Sequence, residues 1–442
     1  MHYLPLTPEE IRAMLGAIGV GSVEELFNCI PENLRLTQKL DMPEAMSELE
    51  LRRHIVSLAS KNYDPDTTDC FAGGAAFNHY IPSAVDHLSS LPELLTAYTP
   101  YQPELSQGTL TAIFEWQTCL SNLTGLPVAN ASLYDGATAV CEAARMCCTH
   151  TRKNKVVVSG LINPSYLKTL ETFAKFIGFE VVVVKADGDR TDKQALVEAS
   201  ADAACVIVQS PNVLGTIEDV ESLSKATEGI TFVQVVAEAA SLGLLKRPGD
   251  MGAKICCGEA QSFGIPMGFG GPHLGFISAT VDFMRKLPGR IVGESVDRHG
   301  NRALTLTLRP REQDIRREKA TSNICTNNGN CMLRAIIYLS LLGKKGLRDV
   351  AKQSYNKAHY LADKLKNAGL KLVNTNPFFN EFVIELPNKP ADFAEKMVGK
   401  GFVVSPTTVD SVGSHHLVVA VTEMNSKESM DGFVVALSEV TR

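Results

Sequence analysis

The sequence contains no C-x-x-C pair, although it has 11 cysteines in 442 residues. A structural zinc site needs ligands spaced so that one metal gathers four groups, and no such spacing occurs. The odd cysteine count and the adjacent pairs Cys147-Cys148 and Cys256-Cys257 favour reduced thiols over a disulfide framework. The Cys147, Cys148, His150 group ends an apolar helical pattern and reads as packing, not as a metal site.

A basic run is also missing. Forty-three Lys and Arg stand against 49 Asp and Glu, a net charge of −6. The densest basic stretch, Arg309 to Lys319, is interleaved with Glu312, Asp314 and Glu318. Nucleic-acid binding needs clustered cations, so no nucleic-acid partner is expected. The longest charge-free helical apolar run, Ala335 to Gly343, is too short to cross a bilayer, so no membrane partner is expected either. The opening residues lack the basic start and apolar stretch of a secretory signal. These absences point to a cytoplasmic protein.

What remains is 45% apolar and 21% charged, the proportions of an ordinary globular chain. At this length the core is large enough for more than one domain. Thr7-Pro8-Glu9-Glu10 and Ser22-Val23-Glu24-Glu25 both read as helix starts, with a hydroxyl cap and Glu three residues on. A further helix is expected over Ala45–Lys61. Residues 1–65 therefore form a helical arm.

Residues 66–108 are rich in Gly, Pro, Asn and aromatics and predict a long ordered loop, a kind of segment that usually serves function. From 109 onward, helical patterns alternate with short β-branched runs at 156–159, 181–184, 205–208 and 231–236. Continuous β-branched strands need helices on both faces, which predicts a mostly parallel sheet. A glycine-rich crossover follows at 255–276, then a half-buried strand over 303–308. A long amphipathic helix is expected over about 346–368, and a β-β-α-β-β-α pattern ends the chain. The expected domains are the arm 1–65, a large α/β domain 66–330, and 331–442, a connecting helix with a small α+β domain.

Three stretches carry a resemblance. The first is Tyr98-Thr99-Pro100-Tyr101-Gln102-Pro103-Glu104-Leu105-Ser106-Gln107-Gly108, continued by Trp116-Gln117 and Ala129–Gly136. The second is Gly264-Ile265-Pro266-Met267-Gly268-Phe269-Gly270-Gly271-Pro272. The third joins Pro288–Gly293, Arg309–Gln313 and Arg317–Thr326. Together they resemble the P-protein family of the glycine cleavage system over essentially the whole chain. Within that family they resemble the first subunit of the split form.

The resemblance implies the fold type I architecture of pyridoxal phosphate (PLP) transferases, with a large mostly parallel sheet and a small C-terminal α+β domain. It implies glycine decarboxylation, with release of CO₂ and transfer of the aminomethyl group to the lipoyl arm of the H-protein. It also implies a PLP-bearing second subunit as partner, and the T- and L-proteins as functional companions.

A PLP enzyme needs a lysine amine for its resting imine. In the PLP-bearing subunit the lysine loop reads His-Lys-Thr-Phe. Here the run is Ala260-Gln261-Ser262-Phe263, and the amide of Gln261 cannot form an imine. Lys254, seven residues earlier, is expected to face solvent at a strand start. The strand that normally supplies an Asp to the pyridine nitrogen reads Thr231–Val236 and holds none. Glu238 follows it and reads as a solvated loop carboxylate. Asp135-Gly136-Ala137-Thr138 opens a helix whose free N–H groups suit an anion, but Asp135 can cap them itself. This is expected to be a vestigial cradle.

No catalytic or cofactor-binding residue is therefore assigned to this chain. Tyr98, Tyr101, Gln102, Glu104 and Gln107, with Arg317, Thr321 and Asn323, are candidates for a partner interface or substrate channel. Two alternatives remain open at this point: a self-sufficient PLP enzyme with an unusual lysine, and a non-catalytic binding or regulatory protein of the same fold.

Overall fold

The computed structural model describes residues 6–36, 38–63, 68–96, 98–325, 327–405 and 415–441. The opening five residues, the expected boundary at 65/66 and Thr326 of the third stretch lie outside them. The chain divides into two units, residues 1–62 and 63–442.

In the first unit, α1 (Pro8–Ile18) starts on the expected reciprocal cap. Thr7 accepts from the Glu10 N–H, and Glu10 accepts from the Thr7 N–H. Helix α2 (Glu48–Ala59) is capped in the same way by Ser47 and Glu50, slightly inside its expected start. The second expected helix is only a 3₁₀ turn, Glu24–Cys29. Pro31 disfavours helical backbone at residue 30, so the segment has no length in which to continue. None of the described residues before 63 is buried.

The second unit opens with β1 (Asp69–Cys70) and α3 (Ser83–Ser89) inside the expected loop. Helix α4 (Gln107–Thr124) leads to β2 (Val128–Ala129), α5 (Gly136–Thr151), β3 (Lys155–Ser159), α6 (Pro164–Ile177) and β4 (Glu180–Val184). A small hairpin, β5 (Ala186–Asp187) and β6 (Arg190–Thr191), precedes α7 (Lys193–Ala199), β7 (Cys205–Gln209), α8 (Val220–Ala226) and β8 (Thr231–Val236). Strands β9 (Ile255–Glu259) and β10 (Gly275–Ala279) complete a seven-stranded sheet of order β2-β10-β9-β8-β7-β3-β4. The run β9-β8-β7-β3-β4 is parallel, and β10 and β2 add on antiparallel. One core packs α5 and α6 on one face of the sheet, and a second packs α4 on the other. That two-sided cover is why the strands carry continuous β-branched residues.

The chain continues through a hairpin, β11 (Val292–Val296) with β12 (Arg302–Leu306), and a short α9 (Gln313–Arg316). The expected strand to residue 308 stops at Leu306, because Leu308 turns the backbone left-handed at φ 56°. Helix α10 (Gly329–Asn367) is broken at Gly343, whose φ of 58° and ψ of −174° are not helical. The apolar run 335–343 ends its first half, and the expected amphipathic helix is its second. Leu347, Ala351, Ala358, Leu361 and Leu365 are buried along it.

The last part holds β13 (Glu381–Glu385), α11 (Pro390–Val398), β14 (Phe402–Val403), β15 (His416–Ala420) and α12 (Lys427–Thr441) around its own core. The first strand of the expected C-terminal pattern is reduced to a bridge between Leu372 and Ile384.

Candidate functional site

The C-terminal end of β9 runs into Glu259-Ala260-Gln261, directly beside the start of α5. Gln261 is 3% exposed, and its amide is fully engaged. The side-chain oxygen accepts from the Phe77 N–H at 2.9 Å. The side-chain nitrogen donates to the carbonyls of Phe77 at 3.1 Å and Ile265 at 2.6 Å. The amide thus pairs with Phe77 as a neighbouring strand would, and pins the loop before α3 against the crossover.

The helix start is engaged as well. Asp135 accepts from the Thr138 N–H at 2.7 Å and its hydroxyl at 2.9 Å. Glu259 accepts from the Gly136 N–H at 3.0 Å with one oxygen. Its other oxygen accepts from the Gln261 and Leu274 N–H groups at 3.0 and 2.8 Å. First-turn donors normally attract an anion. Here two carboxylates of the chain itself take two of them, those of Gly136 and Thr138. A Cβ at Gly136 would run into the Tyr166 hydroxyl, so glycine is required for this close approach. His273 lies with Nδ1 3.5 Å from Glu259, and hydrogen bonding to that carboxylate raises its pKa. Asp135, Tyr166, Glu259 and His273, with Asn163 and Gly74, line a hollow of about 330 Å³.

Glu238, expected to be solvated, is instead 3% exposed. One oxygen accepts from the Ala240 N–H at 2.7 Å, and the other lies 3.3 Å from His79 Nε2. His79 Nδ1 lies 2.8 Å from Glu423, which also accepts from the Tyr80 N–H at 2.7 Å. The aromatic-rich loop folds over the end of β8 and covers the carboxylate. Burial opposes charge on His79, but Glu238 and Glu423 override it and raise the imidazole to about 10. Nearby Glu381 is pushed up to about 8 by burial, and it accepts from the Gly74 N–H at 2.8 Å. Lys254 is exposed immediately before β9.

The candidate interface residues separate into two sets. Tyr101 and Gln107 are used within the chain. The Tyr101 hydroxyl accepts from Arg290 at 2.7 Å, and the guanidinium carbons of Arg290 and Arg309 lie 5.3 and 5.0 Å from its ring centroid. Arg290 is itself buried in an ion pair with Glu312. Gln107 clasps Leu304 of β12, donating to its carbonyl at 2.9 Å and accepting from its N–H at 3.0 Å. Tyr98 is 75% exposed, edge-on to Tyr101. Gln102, Glu104, Arg317 and Asn323 are exposed, and Thr321 is half-buried. Glu259, His273, Tyr166, His79 and Glu423 were not singled out from the sequence. Glu259, two residues before Gln261, was the one within sight.

The family model of the glycine cleavage system P-protein matches residues 1–437. The chain is 44% identical over 440 residues to a Listeria monocytogenes protein named "Probable glycine dehydrogenase (decarboxylating) subunit 1", covering 99% of this chain and 98% of that one. A protein of the same name from Anoxybacillus flavithermus is 45% identical over 449 residues, covering 99% of each. A solved glycine decarboxylase (P-protein) of the glycine cleavage system, in inhibitor-bound form, superposes with a TM-score of 0.92 at 41% identity, covering 100% of both chains. A Thermococcus onnurineus cysteine desulfurase shares the fold alone, at 18% identity and a TM-score of 0.62 over 90% of this chain and 99% of that one.

Proposed function

The chain belongs to the glycine cleavage system P-protein family, and on that premise we propose that it is the cofactor-free subunit of a two-subunit glycine decarboxylase. The observation that carries this reading is the Gln261 amide locked onto Phe77, where the reaction requires a free amine. The surroundings agree. Two of the donors a cofactor phosphate would use are taken by Asp135 and Glu259, and their negative charge opposes a second anion. The acid after β8 is spent on His79 and Ala240. These residues do not fit pyridoxal phosphate.

The PLP belongs to the second subunit, which carries out the glycine chemistry. The aminomethyl group passes to the lipoyl arm of the H-protein, and the T- and L-proteins act downstream, all in the cytoplasm. This chain is inactive alone and completes the assembly. Tyr98, Gln102, Glu104, Arg317 and Asn323 face that subunit or the substrate channel, with Thr321 beside them. Tyr101 and Gln107 hold the surface from behind.

Co-expression with the PLP-bearing subunit tests the reading. Glycine decarboxylation should require both chains. Activity unchanged when this chain is omitted would refute it, as would a purified yellow chain that borohydride bleaches.

A further inference from the structure

A second hollow, of about 360 Å³, lies between α5, α6 and the segment at Asn323. Its lining includes Glu142 and Arg145 of α5, Phe173 and Phe176 of α6, Tyr134, and Asn323. Two features are out of place on a finished surface. Phe176 is 80% exposed, and the neighbouring Ile177 and Tyr134 are 42% and 38% exposed. Large aromatics left open around a concavity are characteristic of interface anchors. Glu142, by contrast, is 4% exposed, and it lines the hollow.

A buried carboxylate without full compensation costs stability unless a cation arrives. Compensation within the chain falls short. Burial holds the Glu142 carboxyl up at about 7 despite the Ser322 hydroxyl and Arg145. Arg145 directs one amine at the Ala320 carbonyl, 3.3 Å away. The chain's own Lys175 lies 5.7 Å from the Phe176 ring centroid. An aromatic rim over a buried carboxyl suits a further cationic side chain, which gains from the remaining ring faces and the carboxyl together.

We propose that this hollow receives a lysine or arginine side chain projecting from the PLP-bearing subunit, seated on Glu142 within the rim of Phe176 and Tyr134. The proposal rests on the two-subunit reading above. Asn323 makes the hollow continuous with the exposed segment already assigned to that partner.

The test measures binding of the full chain to the PLP-bearing subunit by sedimentation or calorimetry, for wild type, Phe176→Ala and Glu142→Gln. Each variant should weaken binding about tenfold or more. Phe176 is exposed, so its truncation leaves folding intact. Glu142→Gln removes a buried charge, so its thermal stability should hold or rise while its affinity falls, a split that a structural role would not produce. The Glu142→Gln complex should also depend less on salt than wild type. If wild type pairs and both variants bind within about twofold of it, this proposal fails and the two-subunit reading stands. If wild type does not pair at all, both fail.

Discussion

Gln261 and Phe77, 184 residues apart, exchange hydrogen bonds in both directions, at 2.9 and 3.1 Å. The side chain fastens a loop to the end of the sheet.

Placing an amine at this position should therefore not create a cofactor site. Gln261→Lys buries an ammonium, leaves the Phe77 N–H unpaired and loses the acceptor. It should cost about 2–5 kcal/mol in denaturant unfolding. Incubation with pyridoxal phosphate should yield no borohydride-reducible adduct, since Asp135 and Glu259 still fill the helix start. Mass spectrometry after reduction checks this.

Glu259→Gln should lower the pKa of His273 toward the ordinary imidazole value, because the bond to Glu259 is the main reason it is raised. A folded-state pKa above the unfolded one stabilises the protein at pH below the unfolded value, and that share is lost as pH rises through the folded pKa. The variant should lose that share, and NMR titration of the imidazole reads the change directly. A His273 titration unchanged from wild type would show that the contact does not act electrostatically.

His79 gives a wider window. Its pKa of about 10 means that the stabilisation is complete below the unfolded value of about 6.5 and drains away as pH climbs to about 10. His79→Gln leaves Glu238 and Glu423 without their cation and should cost about 3–5 kcal/mol at neutral pH. The wild-type-minus-variant difference in unfolding free energy should shrink steadily between neutrality and pH 10. A difference that is constant with pH would count against a charged imidazole.

Glu381 shifts stability in the same direction as His79, through a group that becomes charged instead of neutral as it loses its proton. With its carboxyl pushed up to about 8, the folded chain holds a proton that the unfolded chain releases at lower pH, so stability falls as pH rises from the unfolded value toward 8. Glu381→Gln keeps an acceptor for the Gly74 N–H and cannot ionise. It should unfold at a higher temperature than wild type above pH 8 and show little advantage at pH 5. Scanning calorimetry at the two pH values decides it.

The sheet was legible in the sequence because strands covered on both faces must be apolar throughout, as Val156–Val158 and Val206–Val208 are. The helix starts at Thr7 and Asp135 were legible because a cap is a local bargain within four residues. Gln261 stood out because the family resemblance leads one to expect a lysine there. The triad of Glu238, His79 and Glu423 was hidden: its members lie up to 344 residues apart, and burial of a loop carboxylate depends on what folds over it. The break at Gly343 was equally silent, since glycine inside an apolar helical run does not announce which φ it will take. The role of Glu259 escaped notice because a carboxylate pointed at its own chain looks, in a sequence, like one pointed at water.

That carboxylate has a bearing on supply. A protein whose helix start waits for a phosphate is firmer when the ligand is abundant and frailer when it is scarce, by mass action. Here Asp135 and Glu259 already hold the Thr138 and Gly136 N–H groups, so on the reading proposed above added phosphate has little to firm up. On the two-subunit reading proposed above, the abundance of this polypeptide should then stay level when the cofactor is scarce.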